Sequence, residues 1–133
     1  MNGVFADTSY YLALLSASDQ FHAAAVEQYQ HLDRVVIVTE FVLLELGNSL
    51  SRIGWREHFA ELISQLRDDR KVKIVAASRP LFQKSSELFA SRLDKEWSMV
   101  DCSSFVTMDE YGLADALSSD HHFEQAGFTI LLK

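Results

Sequence analysis

The stretch Val35-Val36-Ile37-Val38-Thr39-Glu40-Phe41-Val42-Leu43-Leu44-Glu45-Leu46-Gly47-Asn48-Ser49-Leu50 decides the fold. Its first four residues are β-branched and do not alternate with polar ones, which is how a strand covered on both faces of a parallel sheet reads. Thr39 then offers a hydroxyl N-cap, and from Phe41 the apolar residues take up helical spacing toward Ile53, with Gly54 as the expected stop. A buried strand running straight into a helix is half of a βαβ unit. The same alternation extends in both directions. Val4 to Ala6, Val72 to Val75, Ala114 to Leu117 and Thr129 to Leu132 read as strands. Asp7, Thr8 and Ser9 open a helix through Tyr10 to Leu15. Phe21, Ala24, Ala25, Tyr29 and Leu32 line another after the candidate caps Ser18 and Asp19, and Phe59, Leu62, Ile63 and Leu66 line a third. Ser78 with Pro80 starts a further helix, and Ser98 starts one that Gly112 closes. Strand and helix therefore alternate along the chain, which predicts a three-layer α/β/α domain with a mostly parallel central sheet.

The 133 residues, 48% hydrophobic and 23% charged, suit one domain spanning 1–133. A domain of this size buries roughly two-thirds of its unfolded surface and needs no disulfide or structural metal. The single cysteine, Cys102, excludes an intramolecular disulfide and a multi-cysteine zinc site, and suits a reducing cytoplasm. No run approaches the ~18 consecutive apolar residues of a membrane span, and the N-terminal segment lacks a basic region ahead of its apolar part. A cytoplasmic protein without membrane association is expected. The net charge of -7, from 12 basic and 19 acidic residues, argues against a broad basic face that grips nucleic acid. It leaves room for an enzyme that gathers its acids in one place.

Ligands of open α/β sheets bind at the carboxyl ends of the strands, so acids at strand-to-helix junctions stand apart from acids on helix exteriors. Asp7 ends the first strand and Asp120 comes after the strand-like segment ending at Leu117. Asp101 lies in the first turn of the helix after Ser98, where the helix N-terminus favours an anion. Glu45 sits among Leu43, Leu44 and Leu46, and Glu40, five residues earlier, lies about 140° away around the helix. One glutamate must face inward, and the leucine-flanked Glu45 is the better candidate, with Asn48 and Ser49 on its face as supporting donors. Asp7, Glu45, Asp101 and Asp120 can thus converge on one sheet edge. Close carboxylates repel by roughly 1 to 4 kcal/mol per pair at effective dielectric constants of 80 to 20, and a divalent cation is the economical compensation.

The segments Phe5-Ala6-Asp7-Thr8-Ser9, Thr39 to Leu50 and Trp97 to Phe128 resemble the PIN-domain nucleases, especially the VapC-like toxins of bacterial type II toxin–antitoxin pairs. The resemblance covers most of the chain. It implies an endoribonuclease whose Mg²⁺ or Mn²⁺ is held by Asp7, Glu45, Asp101 and Asp120, with Ser9 beside the first acid. It also implies an RNA substrate and a small antitoxin partner. Many relatives carry a further acid two positions after the fourth, and this sequence has His122 there.

His22, His31 and His58 have no helical i,i+4 ligand partner and read as surface or packing residues, whereas His121 and His122, beside Asp120, are candidates for touching substrate. Cys102 reads as a core thiol, Trp55 and Trp97 as core or dimer interface, and Asp94, Glu96, Asp109, Glu110 and Asp115 as solvated charges. A homodimer is expected, with Arg52, Arg56, Arg67, Arg70, Lys71 and Lys73 doubling a cationic rim for RNA. Two other readings compete. A catalytically weak PIN-like scaffold would not need all four acids, and a Mg²⁺-binding phosphoacceptor domain would need an acidic pair after the first strand and a later strand-end Lys, neither of which is present.

Overall fold

The computed structural model describes residues 2–133; Met1, the first residue of the expected domain, lies outside them. Five strands form a single sheet: β1 (Gly3–Ala6), β2 (Val35–Thr39), β3 (Val72–Val75), β4 (Asp115–Leu117) and β5 (Thr129–Ile130). Their order is β3-β2-β1-β4-β5, and every pairing is parallel. Seven helices connect them: α1 (Thr8–Leu15), α2 (His22–His31), α3 (Glu40–Ser49), α4 (Arg56–Asp68), α5 (Arg79–Ser91), α6 (Met99–Glu110) and α7 (His121–Gln125). The main helix contacts run among α1 to α4 and among α5 to α7, as two layers require, with α3 also meeting α6.

The central strands are buried because they are apolar on both faces. Val4, Phe5, Ala6, Ile37 and Val38 are inaccessible to solvent. Three helices begin where the sequence places a cap: Thr39 accepts from the Val42 amide, Ser78 from Leu81 and Ser98 from Asp101, each such cap stabilising its helix by about 1 kcal/mol. Helix α3 is shorter than its apolar pattern suggests. It ends at Ser49, and Ile53, which continues the pattern, stands almost fully exposed. Gly54, expected to stop α3, takes its positive φ of 94° in the turn that leads into α4. Asp19 does not cap α2 directly; its side chain accepts from the Phe21 amide at 2.8 Å, one residue before the helix starts.

Strand order fixes where a ligand belongs. The chain leaves β1 toward β2 and β3, then returns to the other side of β1 as β4, so connections diverge between β1 and β4 at their carboxyl ends. Such a switch point opens a crevice in doubly wound sheets. Asp7 comes directly after β1 and Ser118 directly after β4, at adjacent register positions, since Ala6 pairs with Leu117.

Candidate active site

Asp7 is the anchor of this crevice. It caps α1 and is only 5% exposed. Its Oδ2 accepts hydrogen bonds from Ser9 Oγ and Ser118 Oγ, both at 2.9 Å, and from the Ser9 amide at 3.5 Å. Burial pushes its carboxyl up to about 6; the two hydroxyls pull it down, and the charge of Asp101 adds to the upward push. Ser118 also accepts from the Asp120 amide at 3.0 Å, and Ser9 accepts from the Ser119 amide at 3.1 Å. The turn after β4 is thereby tied to the turn after β1.

Asp120 caps α7, its Oδ1 accepting from the His122 amide at 2.9 Å. Asp101 completes a capping box with Ser98, its Oδ2 accepting from the Ser98 amide at 3.1 Å. The ring of His122 spans the two acids, with Nδ1 at 3.0 Å from Asp101 Oδ2 and 3.5 Å from Asp120 Oδ1. Packing behind the site holds α6 against α7. Phe105 stands edge-on to Phe123 and to Trp97, ring centroids 5.0 Å apart in each case, and Trp97 Nε1 donates to Gln125 Oε1 at 3.0 Å.

Glu45 joins by a different route. Thr8, in the first turn of α1, donates its hydroxyl to Glu45 Oε1 at 2.5 Å, so α3 presents this glutamate toward the start of α1. Glu40 is exposed and accepts from the Ala77 amide at 2.7 Å, on the side facing the loop after β3. Asn48 is exposed, and Ser49 Oγ donates to the main-chain carbonyl of Glu45, not to its carboxylate. His121 is more exposed than His122, with Nδ1 3.7 Å from Asp120 Oδ1. The sequence did not single out Ser118, although its place directly after a strand at the switch point was a usable signal.

Two properties of the set bear on a metal. Among the described residues, none of the four acids has a Lys or Arg within salt-bridge distance; only His121 and His122 approach Asp101 and Asp120. Each acid also uses one oxygen for these hydrogen bonds: Oδ2 of Asp7 and Asp101, Oδ1 of Asp120, Oε1 of Glu45. Oriented carboxylate oxygens without a cationic partner are the donor chemistry that hard divalent ions take.

Other titratable residues make contacts that hold or solvate the fold. His22 Nδ1 meets the Ala13 carbonyl at 2.7 Å and His31 Nδ1 the Glu27 carbonyl at 2.9 Å. Cys102 is inaccessible, and burial pushes its thiol up. Asp94 is exposed and held down to about 2 by its hydrogen bonds from Arg92. Asp115, expected as a solvated charge, instead pairs with Arg34 at 2.9 Å across 81 residues of sequence, at the opposite edge of the sheet. Arg70 and Lys71 precede β3 and so also lie at that opposite edge, away from the acids.

The five-stranded parallel sheet with acids at its switch point is the architecture of one family of domains: the chain belongs to the PIN-domain family, whose profile matches residues 4–129. The 23S rRNA-specific endonuclease VapC20 of Mycobacterium tuberculosis is 32% identical over 126 residues, covering 94% of this chain and 95% of that protein. The crystal structure of M. tuberculosis VapC20, described as a sarcin–ricin-loop-cleaving toxin, matches with a TM-score of 0.88 at 28% identity over 98% of this chain and 99% of that one. FitAcB from Neisseria gonorrhoeae has the same fold, with a TM-score of 0.69 at 15% identity over 96% of each chain. No helix of the described residues is long and apolar enough to cross a membrane.

Proposed function

We propose that this chain is a divalent-metal-dependent endoribonuclease, the toxin of a toxin–antitoxin pair, acting in the cytoplasm as one domain on the large ribosomal RNA. The observation that carries the reading is the continuous run from Asp7 through Ser118, Asp120 and His122 to Asp101, in which acids meet hydroxyls, amides and imidazole but no Lys or Arg. The ribosomal substrate is taken from the family likeness to VapC20.

Asp7, Glu45, Asp101 and Asp120 would hold Mg²⁺ or Mn²⁺ through carboxylate oxygens. When bound, such an ion lowers the pKa of a water and stabilises charge on the phosphate oxygens during in-line displacement. The chain's own residues supply the preorganisation. Ser9 and Ser118 fix the rotamer of Asp7, Thr8 fixes that of Glu45, and Ser98 fixes that of Asp101, so the donor oxygens are aimed before substrate arrives. Ser9, His121, His122 and Asn48 would be the residues that contact the RNA.

A homodimer and a small antitoxin that inserts an Arg or Lys among the acids complete the proposal, since a basic side chain satisfies the same carboxylates through charge-assisted hydrogen bonds. The direct test is cleavage of a synthetic stem-loop carrying the sarcin–ricin sequence, with Mn²⁺ or Mg²⁺ and with EDTA. Cleavage at one bond, dependent on metal and lost in Asp7→Asn, is the expected result. Undiminished cleavage by the metal-stripped protein would sink the proposal.

A further inference from the structure

His122 places one ring nitrogen against two of the four acids at once. Its ring is the less exposed of the two, with 21% of the side chain exposed against 70% for His121, and it lies tilted by 50° against the His121 ring with centroids 4.5 Å apart. Nδ1 faces two carboxylate oxygens from two different helices, Asp101 Oδ2 at 3.0 Å and Asp120 Oδ1 at 3.5 Å. Adjacent ligands on an ion with bonds of about 2.1 Å stand about 3 Å apart. Nδ1 therefore sits at ligand-to-ligand distance from both acids, and the ligand atoms of Asp120, His121 and His122 fall within 4.8 Å of one another.

We propose that His122 Nδ1 is itself a ligand of the catalytic ion, so that this site binds through mixed nitrogen and oxygen donors and favours Mn²⁺ over Mg²⁺. This ligation presupposes that the enzyme is the metal-dependent nuclease proposed for it. With the ring hydrogen on Nδ1, this nitrogen donates to Asp101 Oδ2. With the ring hydrogen on Nε2 instead, Nδ1 turns a lone pair to the same space. Imidazole nitrogen binds transition-metal ions in preference to Mg²⁺, whose ligands are carboxylates and water. One carboxylate fewer than a site with an acid at this position also means less negative charge and less purely electrostatic affinity for Mg²⁺. His121 is the weaker candidate, because its nitrogen faces Asp120 alone and its ring is open to water.

The test reads the ligand directly. Protein loaded with Mn²⁺ is examined by electron spin echo envelope modulation, first with natural-abundance nitrogen and then with ¹⁵N-histidine, so that the wild-type fold is enough. Coupling to a directly bound histidine nitrogen, changing isotope with the label and lost in His122→Asn but kept in His121→Asn, is expected. Calorimetric titration should show Mn²⁺ affinity falling by at least about tenfold in His122→Asn, and the preference for Mn²⁺ over Mg²⁺ shrinking in His122→Asp. Mn²⁺ that binds wild type, is lost from Asp101→Asn and shows no histidine coupling overturns the inference while leaving the endonuclease reading intact. Coupling that disappears in His121→Asn instead also overturns it. Protein that binds no Mn²⁺ at all removes both.

Discussion

The two edges of the sheet carry acids in opposite circumstances. At the amino edge, Asp115 meets Arg34, whose second guanidinium nitrogen donates to the Gly3 carbonyl at 2.7 Å, so one cation ties β4 to the start of β1. At the carboxyl edge, Asp7, Glu45, Asp101 and Asp120 are aimed by hydroxyls and amides and receive no such cation. The first arrangement neutralises a charge. The second leaves the acids without a cation, at a cost visible in the raised carboxyl of Asp7, and under the proposed function a bound ion supplies the missing charge. Under the proposed function, the contrast separates residues that hold the fold from residues that would hold the ion.

Activity should break along that line first. Asp7→Asn, Glu45→Gln, Asp101→Asn and Asp120→Asn should each reduce RNA cleavage by on the order of 100-fold or more while the circular dichroism spectrum stays native. Asp115→Asn should leave the rate per folded molecule within a few-fold. If Asp115→Asn cut cleavage as deeply as Asp101→Asn, the division between edges would be wrong.

Stability should respond in the reverse sense, and with a pH dependence whose direction is fixed. The Asp7 carboxyl is raised from 3.8 to about 6, so the fold favours its protonated form. Its contribution is fully present below about pH 4 and is lost as pH rises toward 6. At about 1.4 kcal/mol per pKa unit, ionised Asp7 costs the metal-free protein about 3 kcal/mol above pH 6. Asp7→Asn should therefore raise the melting temperature of the metal-free protein at pH 7 and give almost no gain at pH 4. A gain of equal size at both pH values would mean that burial of the charge is not the cause.

Metal should erase the same cost. An ion at 100 times its dissociation constant stabilises the fold by about 2.7 kcal/mol, a shift that thermal denaturation with and without EDTA detects. The shift is expected in wild type and in Asp115→Asn and should be absent in Asp7→Asn. Breaking the amino edge should cost less. Arg34→Ala leaves Asp115 alone at a partly exposed position, with a loss of about 1 to 2 kcal/mol and no change in the metal-induced shift.

The smallest effect sharpens the assignment of the α3 face. Glu40→Gln keeps an oxygen to accept from Ala77 and should change neither cleavage nor melting measurably, whereas Glu45→Gln should abolish cleavage. Equal damage from the two would place the wrong glutamate in the site.

The sequence alone determined the alternation of strand and helix, because burial on both faces imposes an unbroken apolar run on β2, while burial on one face imposes the helical period on α3. It also determined that Asp7 and Asp120 stand at strand-to-helix junctions, that Asp101 lies in a first helical turn, and that Glu45 differs from Glu40 in its apolar flanks. These are local properties, written within a few residues of the acids themselves. Where α3 stops was less legible, since Ile53 continues the apolar pattern yet lies in the exposed turn after the helix. Tertiary structure decided the partners. Ser118 reaches Asp7 across 111 residues because β4 returns to lie beside β1, and Thr8 reaches Glu45 across 37 because α1 packs on α3. His122 comes between Asp101 and Asp120 because Phe105, Phe123 and Trp97 clamp α6 to α7. Arg34 turns Asp115 from a surface charge into a tie between strands by the same logic of strand order. Periodicity reports which face of an element is buried. It carries no information about which distant element will cover that face, and that choice brings these donors and acceptors together.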